Sequence, residues 1–553
     1  MGKVIKFILL FILSVVLILV IGGFIAANVI DPNKFKEPLA KQISDRTGRN
    51  TTIVGDISWN FFPWLGFSVG DVTMANAEGF GDKPFASIKS LELKVKAMPL
   101  LSGNIQVGVL TVVKPEIQLM VNARGRTNWE DLAEVKSTTN NSQTEDTLDE
   151  KDETDDFNTE VLNRIQIDQV TLKEGQLVFD NQQTKQEFAL SNLNISSQDI
   201  AIDREIPFNF HFKFIALEDD ITMASGEVDY QGAFRFDSQT WQEQKQALPS
   251  IYLDGKLVAK PLTLDKLQIT QLTAEIKVED SLISIAPILA NLYQGESVAN
   301  LDINLKTQTP DIKAAASLKD LQAGALLEDL IGSDQITGIA QAHIKLNTRG
   351  TTTPSMLKTL NGSAKFEFTN GVLHGVDVPY LLSWATAVFN SQQPPETEQN
   401  KGITPFGSIT GSADITNGVV TNNDLSIQAP EYAITGAGQI SLVTQMVDYR
   451  LAVKSTSKSQ SNAINKLEKS LGEPIPILVR GEFANLSAEP DLDIIVKNSA
   501  RSFIEKQVNR FFPGSLKPKD PAEATEGQGD TDNGEQTGSI EDKAKRILEG
   551  LFN

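Results

Sequence analysis

The chain contains no cysteine, which excludes disulfides, thiolate metal sites and cysteine nucleophiles together. It has three histidines, His211, His343 and His374, leaving little material for imidazole-based catalysis or metal binding. Basic residues are in deficit: 50 Lys+Arg stand against 71 Asp+Glu, a formal charge of −21. That balance argues against nucleic acid as a partner and against a body pressed broadly onto anionic lipid. Trp and Tyr number 5 and 6, whereas Phe reaches 27. Freedom from cysteine is compatible with export to an oxidising compartment without requiring it.

What is present begins with a long apolar run. Lys3 and Lys6 precede residues 7–30, which carry no charge. A helix through Phe7, Leu13, Leu17, Ile21 and Ala27 spans roughly 30 Å, one bilayer core. The competing reading is a cleaved signal peptide, whose apolar core runs only ~7–15 residues and ends at a small-x-small site. This run is longer, and Ala26-Ala27 is not such a site. Residues 7–30 therefore read as an uncleaved signal anchor and residues 1–6 as a cytoplasmic tip, although Lys34, Lys36 and Lys41 on the far flank leave charge alone undecided. Asp31-Pro32 reads as an N-cap and first helical residue. Phe35, Leu39 and Ile43 follow on one side, Pro38 kinks or delays the helix, and Gly48 closes it.

From Thr51 the period becomes two. Ile53, Ile57 and Trp59 alternate with polar residues. Phe67 and Val69 are followed by a bulge at Gly70-Asp71, because Val72 and Met74 continue on the other parity. Leu91, Leu93 and Val95 follow, then Ile105, Val107 and Val109, then Ile117, Leu119 and Val121. Phe208, Phe210, Phe212 and Phe214 line one face of a later strand, with Asn209, His211 and Lys213 between them. Leu301 and Ile303, then Phe366 and Phe368, continue a pattern that lasts to about Val496. This predicts a mainly β fold: a long, curved, largely antiparallel sheet with one apolar face and few short helices. Helical patches are expected at 285–293, 318–330 and 378–389, the last apolar nearly all round. One-faced strands need a cover. With so few helices, the sheet must close on itself, stack, or keep its apolar face for another molecule, a lipid among them.

The segment 137–160 holds nine acidic residues and one lysine and reads as a disordered insertion. Its acids lack the spacing and glycine of a calcium loop. It separates a module at 31–136 from a central β-groove at 161–355 and a C-terminal β region at 356–497. Residues 498–513 read as an amphipathic helix and 514–538 as a disordered acidic linker. Residues 539–553 open on the capping box Ser539-Ile540-Glu541-Asp542 and carry an apolar stripe. That helix suits a partner groove, a membrane surface, or a return onto its own body.

Catalytic motifs fare poorly. Gly66-Phe67-Ser68-Val69-Gly70 matches G-x-S-x-G, but Phe67 and Val69 continue a strand and no helix follows, as a nucleophile elbow requires. Glu218-Asp219-Asp220 reads as a turn cluster, and His374 falls in a glycine-punctuated turn after Asn370-Gly371. No enzyme is expected.

Several short motifs in order resemble the AsmA family of Gram-negative bacteria. At the front these are Thr47-Gly48-Arg49, Gly55-Asp56-Ile57-Ser58-Trp59, Phe62-Pro63, Asp71-Val72, Ala75-Asn76 and Gly79-Phe80. Pro99-Leu100-Leu101 and Gly125-Arg126-Thr127-Asn128-Trp129 follow, then Pro287 with Leu292-Tyr293-Gln294-Gly295. The later part matches in Asn370-Gly371-Val372-Leu373, Gly375-Val376-Asp377, Asn417-Gly418, Gly436-Ala437-Gly438 and Pro474-Ile475-Pro476 with Gly481. The insertion at 137–160 and the tail after Pro513 have no counterpart. The resemblance implies an inner-membrane anchor, a periplasmic body with a chorein-like N-terminal module, and relatedness to TamB and bridge-like lipid transfer proteins. It implies a groove that takes the acyl tails of phospholipid or another lipid, without cofactor or catalysis, in support of outer-membrane assembly. The groove lining would include Ile57, Trp59, Leu91, Leu93, Ile117, Leu119, Phe208, Phe210, Phe212, Phe214, Leu301, Ile303, Phe366 and Phe368. A scaffold that carries no lipid and contacts envelope assembly proteins, through the C-terminal helix among other surfaces, is the alternative. A reporter fused after Asn553 is expected to be active only outside the cytoplasm; cytoplasmic activity contradicts this topology.

Overall fold

Alternating apolar and polar residues become strands wherever a neighbour can take up the backbone hydrogen bonds. The computed structural model describes residues 31–60, 64–96, 99, 106–133, 166–244, 248–332, 335–374, 377–389, 392–393, 402–456, 462–472, 474–482, 485–495 and 497. The expected anchor at 7–30, the insertion at 137–160 and the segments at 498–513, 514–538 and 539–553 lie outside them. No helix among the described residues is long and apolar enough to cross a membrane. The chain divides into Met1–Val496 and Lys497–Asn553; everything below concerns the first unit.

A 3-10 turn, Pro32–Phe35, leads into α1 (Lys36–Thr47). The Asp31 side chain accepts from Asn33 N, and Gly48 closes α1 at φ 73°. Pro38 thus falls in the first turn of a helix that starts late. The sheet begins with β1 (Thr51–Ile53) and β2 (Ile57–Asn60), both paired with β3 (Trp64–Met74). It continues through β4 (Ala86–Lys96) and β5 (Gln106–Val121), and then β6 (Gln166–Asn181), β7 (Gln186–Ile200), β8 (Ile206–Glu218) and β9 (Ile221–Phe236). Next come β10 (Ile251–Leu264), β11 (Leu267–Glu279), β12 (Leu282–Leu292), β13 (Gly295–Asn304), β14 (Asp311–Gln322) and β15 (Ile339–Arg349). Last are β16 (Asn361–His374), β17 (Ile403–Thr416), β18 (Val419–Gln428), β19 (Tyr432–Ser441), β20 (Met446–Ser455), β21 (Ile475–Glu482) and β22 (Asn485–Pro490).

Together they form one 22-stranded sheet in which each strand from β3 onward pairs with the next. Every pairing is antiparallel except β5 with β6, whose crossover contains the short helix α2 (Glu130–Ala133) and the acidic insertion. No described residue pairs β22 back to β1 or β2, so the sheet is curved but unclosed. Helices are few: α3 (Ser238–Gln244), α4 (Ala323–Ile331), α5 (Thr353–Lys358), α6 (Val378–Phe389) and α7 (Asn462–Leu471).

Three local expectations change. Residues 285–293 lie mostly in β12, and the helix expected at 318–330 starts only at Ala323. Leu318, Leu321 and Gln322 pair instead with Ala342, Ala340 and Ile339 of β15. Tertiary pairing overrides propensity there. The run Asn370-Gly371-Val372-Leu373-His374, read as a turn, is the second half of β16 beyond a bulge at Asn370 (φ 51°).

From β16 onward the apolar face of the sheet is sealed. Leu381, Leu382 and Ala385 of α6 and Leu467 and Leu471 of α7 pack with Ile409, Ile434, Val453, Ile475 and Ile477 in one buried cluster. Leu382→Ala in this cluster is expected to destabilise the fold by about 2–5 kcal/mol. Leu289→Ala, at a side chain that is 44% exposed, should change it little. Equal denaturant midpoints for the two variants would contradict the packing described.

A candidate apolar groove and its latches

Cross-strand partners share a face of the sheet, so the pairing registers can be followed from strand to strand. One row runs Ile57–Val69–Leu91–Val112–Leu172–Ile195–Phe210. It continues Tyr230–Leu257–Ala274–Ile288–Ala299–Ala316–Ile344–Ala364–Ala413. Every strand from β2 to β17 contributes to it, and every member is aliphatic or aromatic. The neighbouring row holds Trp59, Phe67, Leu93, Leu110, Val170, Ser197 and Phe208, and then Gly232, Gly255, Ile276, Ile285 and Leu301.

The predicted lining residues fall on this face. Ile117 pairs through Leu177 and Leu190 to Phe214, and Leu119 through Phe179 to Phe188. Phe212 lies two residues from Phe210, Ile303 two from Leu301, and Phe366 and Phe368 two and four from Ala364. Phe366 and Phe368 stand against the sealed cluster; most of the large apolar residues before them are half-buried, and Trp59 and Ile117 are 38% and 37% exposed.

Left-handed residues keep the face apolar. Asp71, Lys114, Glu174 and Asn192 take φ of 43°, 48°, 52° and 52° at one level of the sheet. Left-handed residues shift a strand's parity, so Val69 and Val72 lie on one side with Phe67 and Met74; the ladder shifts register at Glu174 and Asn192. Their polar side chains pair outside: Lys89 with Asp71 at 2.7 Å and Lys114 with Glu174 at 3.2 Å. Sequence alternation missed this in β5. Leu110 and Val112 share the face with Leu93 and Leu91, whereas Val109 pairs with Lys94. Alanines 299, 316, 364 and 413 were also missed, because alanine carries little hydropathy signal alone. Tyr230 was missed as well. Its ring stacks on Phe208 and Phe210 at 5.0 Å each and occupies the space that side chains at Gly232 and Gly255 would fill. Burial pushes the Tyr230 hydroxyl pKa up. Tyr449 lies over Gly436 and Gly438 in the same way. It donates to Asn422 Oδ1, and burial pushes its pKa up to about 12.

At the N-terminal end, α1 roofs the face. Leu39 and Ile43 with Phe67, Val69, Ile88 and Leu91 enclose an apolar cavity of about 340 Å³. A buried polar latch fixes that roof. Arg49, 4% exposed, directly follows the C-cap of α1. It donates from Nε to Asp131 Oδ2 at 3.0 Å and from Nη2 to Asp131 Oδ1 and the Asn128 carbonyl. Its guanidinium lies 4.4 Å from the centre of the Phe85 ring. Asn128, fully buried, donates to Asn76 Oδ1 at 2.9 Å and Gln118 O at 2.8 Å, and accepts from Met120 N at 2.8 Å. Three short motifs distant in sequence thus meet in one network.

The opposite face is polar. His211 contacts Asp229 at 2.8 Å and Asn192 at 3.0 Å, and Ser317 meets His343 at 3.0 Å. Ser68 lies within β3, 2.6 Å from Ser58, in a strand and not at an elbow. No group of three or more His, Asp or Glu suited to a metal occurs among the described residues.

A family model described as the AsmA family matches residues 1–250 and 235–425. Protein AsmA of Escherichia coli (strain K12) is 23% identical over 150 residues, which cover 27% of this chain and 24% of that protein. The chain therefore matches about a quarter of that relative's length. No solved structure matches.

Arg49 hydrogen bonds and charge hold Asp131 below its ordinary pKa of 3.8. A depressed carboxyl pKa stabilises the fold above the unfolded value, and that contribution is lost as pH falls through the folded one. Wild-type stability should therefore fall more steeply below pH ~4 than that of Asp131→Asn, narrowing the gap between them. Parallel profiles in denaturant titrations from neutral to acid would contradict the latch.

Proposed function

The chain belongs to the AsmA family, and from that premise we propose that its apolar face holds the acyl tails of phospholipid, in support of phospholipid transport and outer-membrane assembly. The observation that carries the proposal is the unbroken apolar row from β2 to β17 whose large members are mostly only half-buried. Such a face is an interaction surface by size. Each methylene buried on it gains about 0.8 kcal/mol, and the scarcity of polar groups along it makes binding weakly selective for the headgroup, which stays in water. Residues 7–30 would anchor the chain in the inner membrane with the N-terminus cytoplasmic and the body in the periplasm. The short α1 then sets the first strands close to the bilayer. In this reading the protein needs no cofactor and no catalytic step.

The second reading, a scaffold that assists assembly of outer-membrane proteins without carrying lipid, is favoured by one observation only, the self-packed cluster beneath α6 and α7.

Full-length protein, purified in detergent and released from it in native mass spectrometry, is expected to retain phospholipid. Phe210→Asp with Phe212→Asp places two charges on the face and should lower retention by about ten-fold or more. Equal retention by both proteins would contradict the proposal.

A further inference from the structure

The apolar face does not keep one character along its length. Among the described residues no helix roofs the two central rows from β5 to β15, and Leu172, Ile195, Leu257, Ile288 and Ile344 stay half-buried. Among the described residues, helical cover on this stretch lies at its margins: Trp241 of α3 stands 6.0 Å from Phe236, and α4 sits near the far end. Leu326 packs with Leu292, Leu318 and Leu321 at one rim, and Tyr293 there donates to Asp329 Oδ2 at 2.6 Å. Beyond β16 the same face continues as Phe368–Ile409–Ile427–Ile434–Val453–Ile475. Here Ile409, Ile434, Val453 and Ile475 are 4%, 2%, 1% and 1% exposed.

The cover is made by this chain. Helix α6 lies on β21, β22 and α7. Its head is tied to the sheet where Val378 N donates to Thr404 Oγ1 at 3.3 Å, both residues being 2% exposed. Along the middle of α7, the backbone N–H of Ser455 donates to Glu468 Oε2 at 3.0 Å and its hydroxyl donates to Asn465 Oδ1 at 2.7 Å. A cluster packed to this degree has no room for an acyl chain. Clearing it would expose Leu382, Leu467, Ile475, Ile477 and Ile495, all of them 2% exposed or less.

We propose, building on the acyl-lipid reading above, that the groove is blind at its C-terminal end. Acyl chains enter and leave through the unroofed β5–β15 stretch, and α6 with α7 form a fixed stop and not an exit. Eleven strands at about 4.8 Å give a usable length of about 50 Å. The chain is then a holder that passes lipid sideways to an acceptor meeting its seam, instead of a conduit that lipid traverses from end to end.

The absence of native cysteine allows a clean test. Full-length protein carrying Val378→Cys and Thr404→Cys is reconstituted in donor vesicles of phosphatidylethanolamine and phosphatidylglycerol that contain a fluorescent phospholipid. Transfer to acceptor vesicles is followed with the pair oxidised and then reduced. Equal rates in the two states are expected. Transfer that drops to background on oxidation and returns on reduction, with lipid still bound, would overturn the blind end. Absence of bound lipid in both states would instead overturn the acyl-lipid reading itself. Should the pair fail to form, a photo-crosslinking residue at Ile344 is expected to capture phospholipid and one at Val453 to capture none; capture at Val453 would overturn the proposal.

Discussion

The structure depends on one constraint: every strand of a long sheet must face water with one side and something apolar with the other. A second sheet normally meets this requirement. Among the described residues one sheet of 22 strands has no partner sheet, and the helices cover only parts of it. Helix α1 roofs the first strands, α4 one rim, and α6 with α7 the last strands. Between them lies apolar surface whose two central rows no helix among the described residues roofs. Leaving such surface in water costs about 25 cal/mol per Å², and a protein that keeps it has a use for it.

Keeping the row apolar across so many strands takes local devices. Left-handed residues Asp71, Lys114, Glu174 and Asn192 reset parity as the sheet curves, and ion pairs on the outer side accompany them. Glycines 232 and 255 leave room for the Tyr230 ring, and glycines 436 and 438 for Tyr449. The Arg49–Asn128–Asp131 network then fixes the roofing helix. Arg49, Asn76 and Asn128 come from three of the short motifs that carry the family resemblance, so those three have an architectural role.

Much of this was legible in the sequence, because strand alternation and helix capping are local. The cap at Asp31 of the turn that leads into α1, the stop at Gly48, the parity change at Gly70-Asp71 and the apolar helix Val378–Phe389 follow from neighbouring residues alone. What was not legible depended on pairing. Leu318 and Leu321 read as helical until Ala342 and Ala340 are placed beside them. In β5, Val109 and Val112 look equivalent until register assigns them to opposite faces. The parallel β5–β6 pair is hidden by the long crossover that contains the acidic insertion. Sealing by α6 and α7 is likewise a contact between segments distant in sequence. It leaves about half of the apolar face available and makes the two ends of the sheet different in kind.

The central claim is that the β5–β15 face is a lipid-filled groove and not an unfinished core. A density map of the full-length protein isolated from its membrane tests it most directly. Elongated density lying along Leu172, Ile195, Leu257 and Ile344, and stopping before Ile434, is the predicted result. A face closed on itself, with those four side chains fully buried against protein and no ligand density, would contradict it.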